Sequence, residues 1–303
     1  MNTDSKPSHL IERAAARLSV PWGEALTPRV PAAATARLPE RERAPQAAPT
    51  DLPAPDTPAP TPIPADALAR AGLVDRTPRR NRVAEEFRIV RSKVLRAAFG
   101  GNGVAASPRG NLILVTSALA GEGKTFVATN LAAGLSRQGD RRVLLVDIDL
   151  KDDALSRLIG VSTAPGMLDL ARTSHHRVEE FVIPTALENL DVLPLGTGVA
   201  ESAELFASKR MAERLDDLSR RYADRPIIFD ASPCLSNSIP HVIAPLVGQI
   251  IMVVAAGSTQ QGDIEAALDM VQGCPNVSLL LNKMMPWNRR SFGAYAYGYS
   301  SSA

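Results

Sequence analysis

Residues 111–125 read Asn-Leu-Ile-Leu-Val-Thr-Ser-Ala-Leu-Ala-Gly-Glu-Gly-Lys-Thr, a short apolar run that passes directly into a glycine-rich turn. Residues Ala118 to Thr125 have the spacing of a phosphate-binding loop, with alanine where glycine is more usual at the first position. Gly121 and Gly123 let backbone N–H groups turn inward, and a helix starting at Lys124 directs its positive dipole end at an anion. The bare spacing also occurs in ordinary glycine-rich turns, but a strand before it and a helix after it favour a phosphate site.

The sequence on either side of this loop alternates apolar runs with helical segments. The predicted strands are residues 111–117, 142–147, 190–195, 226–230, 249–255 and 277–282, and the predicted helices are 84–99, 124–137, 203–222 and 260–271. Because these strands are apolar on both faces, they predict a parallel sheet covered by helices on both sides. The predicted fold is therefore α/β: a P-loop NTPase with a doubly wound, mainly parallel sheet.

Acidic residues stand where two of the predicted strands end. Asp147 and Asp149 follow the second strand, and Asp230 ends the fourth. Ligands of such sheets bind at the carboxyl ends of the strands, and Mg²⁺ beside a nucleotide needs only one or two carboxylates. We expect Lys124 to contact the β- and γ-phosphates, and Asp147 to accept the proton of an attacking hydroxyl. The alternative is that Asp147 or Asp149 caps the next helix.

The predicted ligands are ATP and Mg²⁺, and the predicted site falls into three groups of residues. The catalytic residues are Lys124, Asp147 and Asp149; the metal-binding residues are Thr125, Asp149 and Asp230; the nucleotide-binding residues are Ala120, Gly121, Glu122, Gly123, Lys124, Thr125, Phe126 and Asn282. For Glu122 the alternative is a side chain that faces solvent. For Asn282, which would hydrogen-bond the adenine as in related folds, the alternative is a turn cap.

Composition bounds the class of protein. The 303 residues carry a net charge of +2, which gives no strong pull toward nucleic acid, so no nucleic-acid partner is expected. No run of 18 or more apolar residues exists, so we expect no direct membrane span. The two cysteines, Cys234 and Cys274, are expected to be reduced in a cytoplasmic protein.

The chain divides into four predicted parts. Residues 1–20 form a short helix, either marginal or a docking peptide for a partner. Residues 21–82 form a disordered linker, since 13 of the 24 prolines fall within positions 21–80. Residues 83–286 form the nucleotide-binding domain, and residues 287–303 form a flexible tail.

The tail contains most of the tyrosines. Three of the four, Tyr295, Tyr297 and Tyr299, lie in the last nine residues and alternate with small residues that offer no core. A mobile segment of this kind suits a phosphoacceptor, which must enter a catalytic site. The alternative is an adhesive end without such a role.

These motifs resemble the bacterial tyrosine kinases of exopolysaccharide biosynthesis, and among them the stand-alone, exosortase-associated autokinases. The resemblance covers about residues 83–299 and rests on the phosphate loop, on Leu-Leu-Val-Asp-Ile-Asp-Leu-Lys at 144–151, on Ile-Ile-Phe-Asp-Ala-Ser-Pro at 227–233, and on the tyrosine tail. It implies transfer of the γ-phosphoryl group of ATP to Tyr295, Tyr297 and Tyr299 of a neighbouring subunit, which adds about −1.5 to −2 charge per site.

The same resemblance implies an assembly. Glu85, Arg88 and Arg91 lie three residues apart on a predicted helix, and so along one stripe. In the family this motif contacts the next subunit of a ring; the alternative is a surface ion pair of little energetic value. The family also implies a partner, the cytoplasmic segment of a membrane polysaccharide co-polymerase or chain-length regulator, which recruits the kinase to the inner face of the membrane.

The chain departs from the family pattern at Lys151, where arginine is usual, at Ala231, where serine or threonine is common, and at Cys234. Two other functions therefore stay open. A partitioning or septum-positioning ATPase would carry an extra lysine where Leu119 stands. A non-catalytic, nucleotide-gated scaffold of a polysaccharide export complex would bind ATP without forming phosphotyrosine.

Overall fold

The structure, a computed structural model, describes residues 60–74, 82–101, 103, 105–151, 154–173, 176–198 and 202–284. The predicted N-terminal helix, residues 21–59 of the predicted linker and the tail with its three tyrosines lie outside this range.

The described residues form one seven-stranded sheet. Its strands are β1 Leu112–Ser117, β2 Val143–Ile148, β3 Ile183–Pro184, β4 Leu190–Leu193, β5 Ile227–Ala231, β6 Gln249–Ala255 and β7 Val277–Asn282. The order across the sheet is β3-β4-β2-β5-β1-β6-β7. Neighbouring strands run parallel except β3, which pairs antiparallel with β4.

Helices cover both faces of this sheet. They are α1 Ala65–Arg70, α2 Arg82–Phe99, α3 Lys124–Ser136, α4 Leu155–Leu158, α5 Met167–Arg172, α6 Ser202–Phe206, α7 Lys209–Arg221, α8 Ile239–Ile243 and α9 Gln261–Met270. Successive residues of a strand point to opposite faces. Accordingly Ile113 of β1 packs in the cluster that contains α1 to α4, whereas Leu114 packs in the cluster that contains α5 to α9. The predicted doubly wound α/β fold is confirmed.

The order of the strands positions the site. From β1 the chain passes to β2 on one side, whereas β6 and β7 lie on the other side of β1. The direction of winding therefore reverses at β1, and ligands of open α/β sheets bind in the crevice at such a reversal. The phosphate loop leaves β1 at this point.

The predicted helix over residues 203–222 is two helices, α6 and α7. The break occurs at Ser208, whose backbone is extended and whose hydroxyl accepts a hydrogen bond from the backbone N–H of Met211 at 3.2 Å. This is the geometry of a helix N-cap, so Ser208 starts a new helix.

The prediction of a disordered linker is wrong for residues 60–74. Ile63, Leu68 and Leu73 are buried, and the backbone of Ile63 bonds to that of Pro184 at 2.9 Å and to that of Ala186 at 2.8 Å. The burial of these three apolar side chains thus stabilises an ordered structure in this segment despite its high proline content. None of the described helices is long and apolar enough to cross a lipid bilayer.

The end of this segment is attached to α3. The side-chain amide of Asn130 donates to the carbonyl of Gly72 at 2.8 Å, and its oxygen accepts from the backbone N–H of Val74 at 3.1 Å. Asn130 is buried, so both halves of its amide need partners there. The segment before α2 is therefore held on the helix that follows the phosphate loop.

Candidate functional site

The phosphate loop has the backbone of an anion cradle. Gly121 and Gly123 adopt φ values of 79° and 98°, which are favourable only for glycine. The helix α3 begins at Lys124, and its N-terminus has no side-chain cap. The first backbone N–H groups of α3 are therefore available to a phosphate, as the sequence predicts.

Lys124 and Asp149 meet beside this loop. The ammonium nitrogen of Lys124 lies 2.5 Å from Oδ2 of Asp149, whose side chain is completely buried. The other oxygen, Oδ1, accepts from the hydroxyl of Ser232 at 2.7 Å and from the backbone N–H of Lys151 at 3.2 Å. The structure thus brings together two of the three predicted catalytic residues and ties them to the end of β5.

Asp147 bonds to the backbone around it. Its Oδ1 accepts from the N–H of Asp149 at 3.0 Å and its Oδ2 from the N–H of Ser156 in α4 at 2.7 Å. Burial raises the pKa of Asp147 to about 6, although the hydrogen bonds from Ser156 act against burial. The alternative of a helix cap therefore applies to Asp147. Each of its oxygens keeps a second lone pair, so its role as a proton acceptor stays a prediction.

Asp230 is the unsatisfied carboxyl of the site. It is completely buried, and neither oxygen makes a hydrogen bond of regular geometry to a described residue. Burial raises its pKa to about 8; the Lys124 ammonium and the nearby hydroxyl of Thr125 lower the pKa, while Asp147 raises it further. A buried carboxyl without partners is costly, and a bound cation supplies the missing contacts.

The arrangement fits a cation that needs few protein ligands. Among the described residues, no group of three or more His, Cys, Asp or Glu side chains forms a metal site by itself. Mg²⁺ beside a nucleotide takes most of its oxygens from phosphates and water, and one or two from carboxylates. The two oxygens of Asp230 lack regular hydrogen bonds within the described residues and lie next to Thr125 and Lys124, which suits that coordination.

Glu122 supports the loop from the side of β6. It is only 3% exposed; its Oε2 accepts from the N–H of Leu119 at 2.7 Å, and its Oε1 accepts from the N–H of Ala255 at 3.2 Å and from the hydroxyl of Thr259. The alternative of a solvent-facing side chain is therefore wrong. The carboxylate shapes the loop, and only the backbone of Glu122 remains for a nucleotide.

The end of β7 also holds the loop. The amide nitrogen of Asn282 donates to the carbonyl of Glu122 at 2.8 Å, and the ammonium of Lys283 donates to the carbonyl of Gly121 at 2.6 Å. Gly123 has a φ of 98°, and a Cβ atom there would also lie 2.2 Å from the Asn282 amide nitrogen, so this position favours glycine. Asn282 lies at the site as predicted; its contact with adenine stays a prediction.

Phe126 lies in the first turn of α3, directly after the phosphate loop. Its ring lies 6.3 Å from that of Phe87 in α2, and a Cβ atom at Gly72 would lie 3.0 Å from it. The side chain therefore packs between α2 and the segment 60–74, and the nucleotide contact of Phe126 stays a prediction.

The predicted interface residues lie along α2, as their spacing predicts, but they behave differently. Arg88 and Glu85 form an ion pair of 3.0 Å with side chains 69% and 64% exposed. Arg91 instead donates to the carbonyl of Gly134 in α3 at 2.7 Å. Arg91 thus joins two helices of the same chain, which leaves Glu85 and Arg88 as the exposed members of the motif.

Sequence reasoning missed Ser232 and Thr116. The hydroxyl of Thr116, the penultimate residue of β1, donates to the carbonyl of Ser232 at 2.7 Å, while the Ser232 hydroxyl donates to Asp149. A threonine inside a strand of apolar residues is the one signal that could have indicated this link. Cys234 is close by and buried, which raises the pKa of its thiol, so it is an unreactive packing residue.

Comparison with known proteins agrees with this geometry. The model of the AAA domain family matches residues 110–263. The chain is 30% identical over 191 residues to the putative tyrosine-protein kinase EpsB of Ralstonia nicotianae, which covers 63% of this chain and 24% of that protein. It is 28% identical over 188 residues to the tyrosine-protein kinase YwqD of Bacillus subtilis, covering 62% of this chain and 76% of that protein.

A solved structure gives the same result. The kinase domain of the Escherichia coli tyrosine kinase ETK superposes with a TM-score of 0.57 at 25% identity, covering 71% of this chain and 80% of that domain. The chain is thus similar to bacterial tyrosine kinases, although it spans only about a quarter of the EpsB relative. The exosortase-associated subtype stays a prediction.

Proposed function

The chain belongs to the AAA domain family, and from that premise we propose that it is an ATP-dependent protein-tyrosine autokinase that regulates exopolysaccharide polymerisation or export. The observation that carries the proposal is a phosphate loop whose Lys124 lies beside the buried carboxyl groups of Asp149 and Asp230, with the buried carboxyl of Asp147 next to them. The similarity to tyrosine kinases supports the choice of tyrosine as the acceptor.

In the proposed reaction the loop amides and Lys124 hold the triphosphate of ATP. Lys124 would exchange its contact with Asp149 for the β- and γ-phosphate oxygens, which frees Oδ2 of Asp149. Thr125, Asp149 and Asp230 would hold Mg²⁺ directly or through water. The metal ion, when bound, neutralises charge on the phosphates.

Asp147 is the proposed proton acceptor. Because its pKa is raised to about 6, it is ionised at neutral pH and more basic than an ordinary aspartate. It would take the proton of the tyrosine hydroxyl as that oxygen attacks the γ-phosphorus. Replacing it with asparagine keeps its size and removes its charge. Unchanged phosphorylation by Asp147→Asn would exclude this role.

The proposed acceptors are Tyr295, Tyr297 and Tyr299 of a neighbouring subunit. The exposed pair Glu85 and Arg88 is the proposed contact between subunits of a ring. The proposed partner is a cytoplasmic segment of a membrane polysaccharide co-polymerase, which would recruit the chain to the inner face of the membrane. These points rest on the family resemblance of the motifs.

The test is incubation of the purified chain with ATP and Mg²⁺, followed by detection of phosphotyrosine. Lys124→Met should abolish the signal, whereas Lys209→Met, at a lysine of α7 that is 91% exposed, should leave it unchanged. ATP binding without phosphotyrosine would favour the scaffold function instead.

Transfer between subunits has its own test. A chain with Lys124→Met can only accept phosphate, and a chain with all three tail tyrosines changed to phenylalanine can only donate it. Mixing the two should place phosphotyrosine on the Lys124→Met chain. If neither chain is labelled while the wild type is, transfer occurs within one chain.

A further inference from the structure

Ser232 occupies a fixed position at the junction of three strands. It follows β5 two residues after Asp230 and is 1% exposed. Its carbonyl accepts a hydrogen bond of 2.7 Å from the hydroxyl of Thr116 in β1. Ser232 is therefore anchored through its backbone, which fixes the position of its hydroxyl.

The Ser232 hydroxyl hydrogen-bonds to one oxygen of the Asp149 carboxylate. It donates to Oδ1 at 2.7 Å, and the backbone N–H of Lys151 donates to the same oxygen at 3.2 Å. The other oxygen, Oδ2, lies 2.5 Å from the ammonium of Lys124. The two oxygens of this carboxylate thus have separate functions: Oδ1 bonds to the protein and Oδ2 faces the phosphate loop.

A hydroxyl at position 231 could not reach the Asp149 carboxylate in this way. Ala231 belongs to β5 and packs in the apolar cluster that contains Ile148 and Phe229. Because neighbouring strand residues face opposite sides, a hydroxyl at residue 231 would point into that cluster and one at residue 232 points out of it. The hydroxyl that is missing at Ala231 is supplied by Ser232, one residue later.

We propose that Ser232 is a positioning residue that orients the Asp149 carboxylate so that Oδ2 is presented to the magnesium–phosphate group of bound ATP. The terminal torsion of an aspartate is broad, so without a fixed donor the carboxylate samples several orientations. A short hydrogen bond from a buried, anchored hydroxyl selects one of them. This inference rests on the ATP and Mg²⁺ site of the proposed function.

The test measures binding rather than phosphoryl transfer. ATP is titrated calorimetrically into the full chain, once with Mg²⁺ and once with EDTA. Ser232→Ala should weaken binding about 10-fold with Mg²⁺, as expected for a residue that orients a metal ligand. In EDTA it should change binding less than about twofold, because no metal ion then uses Oδ2.

Other variants separate orientation from folding. Ser232→Thr keeps the hydroxyl and should restore Mg²⁺-dependent binding to within about twofold of the wild type. Ser232→Cys keeps the volume with a weaker donor and should show most of the loss. The matched control is Ser219→Ala: the Ser219 hydroxyl is also buried and donates to Asn111 at 2.8 Å, but it lies in α7, so both titrations should stay unchanged.

Three outcomes overturn the inference. Equal weakening in Mg²⁺ and in EDTA would mean that Ser232 only supports the shape of the loop. Unchanged binding by Ser232→Ala would mean that Asp149 needs no such donor. A wild-type chain that takes up no ATP with Mg²⁺ removes this inference and the proposed function together, whereas binding without phosphotyrosine removes only the kinase activity.

Discussion

The two sides of the phosphate loop use buried carboxyl groups in opposite ways. On the acidic side, formed by Asp147, Asp149 and Asp230 at the ends of β2 and β5, the carboxyl of Asp230 has no hydrogen-bond partner of regular geometry among the described residues. On the clamp side, formed by Glu122, Thr259, Asn282 and Lys283, the carboxylate of Glu122 accepts three hydrogen bonds. Both carboxyls are buried, but only that of Glu122 has its hydrogen-bond partners among the described residues.

The difference shows how a structural acid is told apart from a binding acid. Satisfied oxygens, as in Glu122, make a carboxylate part of the scaffold, because removing it leaves its donors unpaired. Unsatisfied oxygens, as in Asp230, reduce stability and indicate a ligand. Four predictions test this contrast, beginning with the largest effect.

The strongest test on the acidic side is Asp230→Asn. We expect phosphotyrosine formation to fall about 1000-fold, because the metal loses a charged ligand. The free energy of unfolding in EDTA should stay equal or rise, because a buried, unpartnered carboxyl is removed. Initial rates and urea denaturation measure the two effects. Asp217→Asn, in an exposed ion pair, is the control and should leave the rate unchanged. A lower unfolding free energy would contradict this account of Asp230.

The matching test on the clamp side is Glu122→Ala. It leaves the N–H groups of Leu119 and Ala255 and the hydroxyl of Thr259 without their acceptor. The free energy of unfolding in EDTA should fall by about 2–3 kcal/mol. Glu265→Ala, at an exposed glutamate of α9, should change it by less than about 0.5 kcal/mol. Equal effects of the two substitutions on urea denaturation would refute the scaffold role.

The pH dependence of stability sharpens the comparison. The pKa of Asp230 is about 8 in the folded chain against 3.8 for the ordinary group, so between these values the folded state binds the extra proton. The free energy of unfolding in EDTA should therefore decrease as pH rises, by about 2 kcal/mol between pH 6 and 8. The raised pKa of Asp147, about 6, adds a decrease only at lower pH.

Asp230→Asn is the control for this pH effect. It should remove the decrease in the free energy of unfolding between pH 6 and 8. Urea denaturation at several pH values measures the slope. A slope that persists in the asparagine variant would assign it to another group.

The smallest effect is expected at Lys283. Its φ is +58°, a left-handed conformation that side chains rarely adopt, and its ammonium holds the carbonyl of Gly121. Lys283→Ala loses the contact and keeps the strained backbone, whereas Lys283→Gly loses the contact and relieves the strain. The glycine variant should be more stable by about 1 kcal/mol in urea denaturation. The reverse order would mean that the backbone there is unstrained.

Much of the fold could be predicted from sequence because it depends on local patterns. The largely apolar runs of β6 and β7 predict the bounds that the structure has, Gln249–Ala255 and Val277–Asn282. The strand, glycine-rich turn and helix around Lys124 likewise lie within a few residues of one another. Patterns of this kind follow from residue periodicity and turn chemistry.

The remaining features depend on contacts between distant residues. Ile63 stands in a proline-rich stretch, and its docking depends on Pro184 and Ala186, over a hundred positions away. Glu122 and Asp230 are both motif acids, and the sequence places both in the site. Glu122 is identified as the structural acid only by its hydrogen bonds from Ala255 and Thr259, which lie far along the chain and which the sequence does not reveal.

The bond between Lys283 and Gly121 couples the nucleotide site mechanically to the C-terminal segment. Met284 follows Lys283 directly, and the chain continues from it to the tail tyrosines. A displacement of Lys283 would disturb the carbonyl of Gly121, so the conformation of the chain directly after β7 and the shape of the phosphate loop depend on each other.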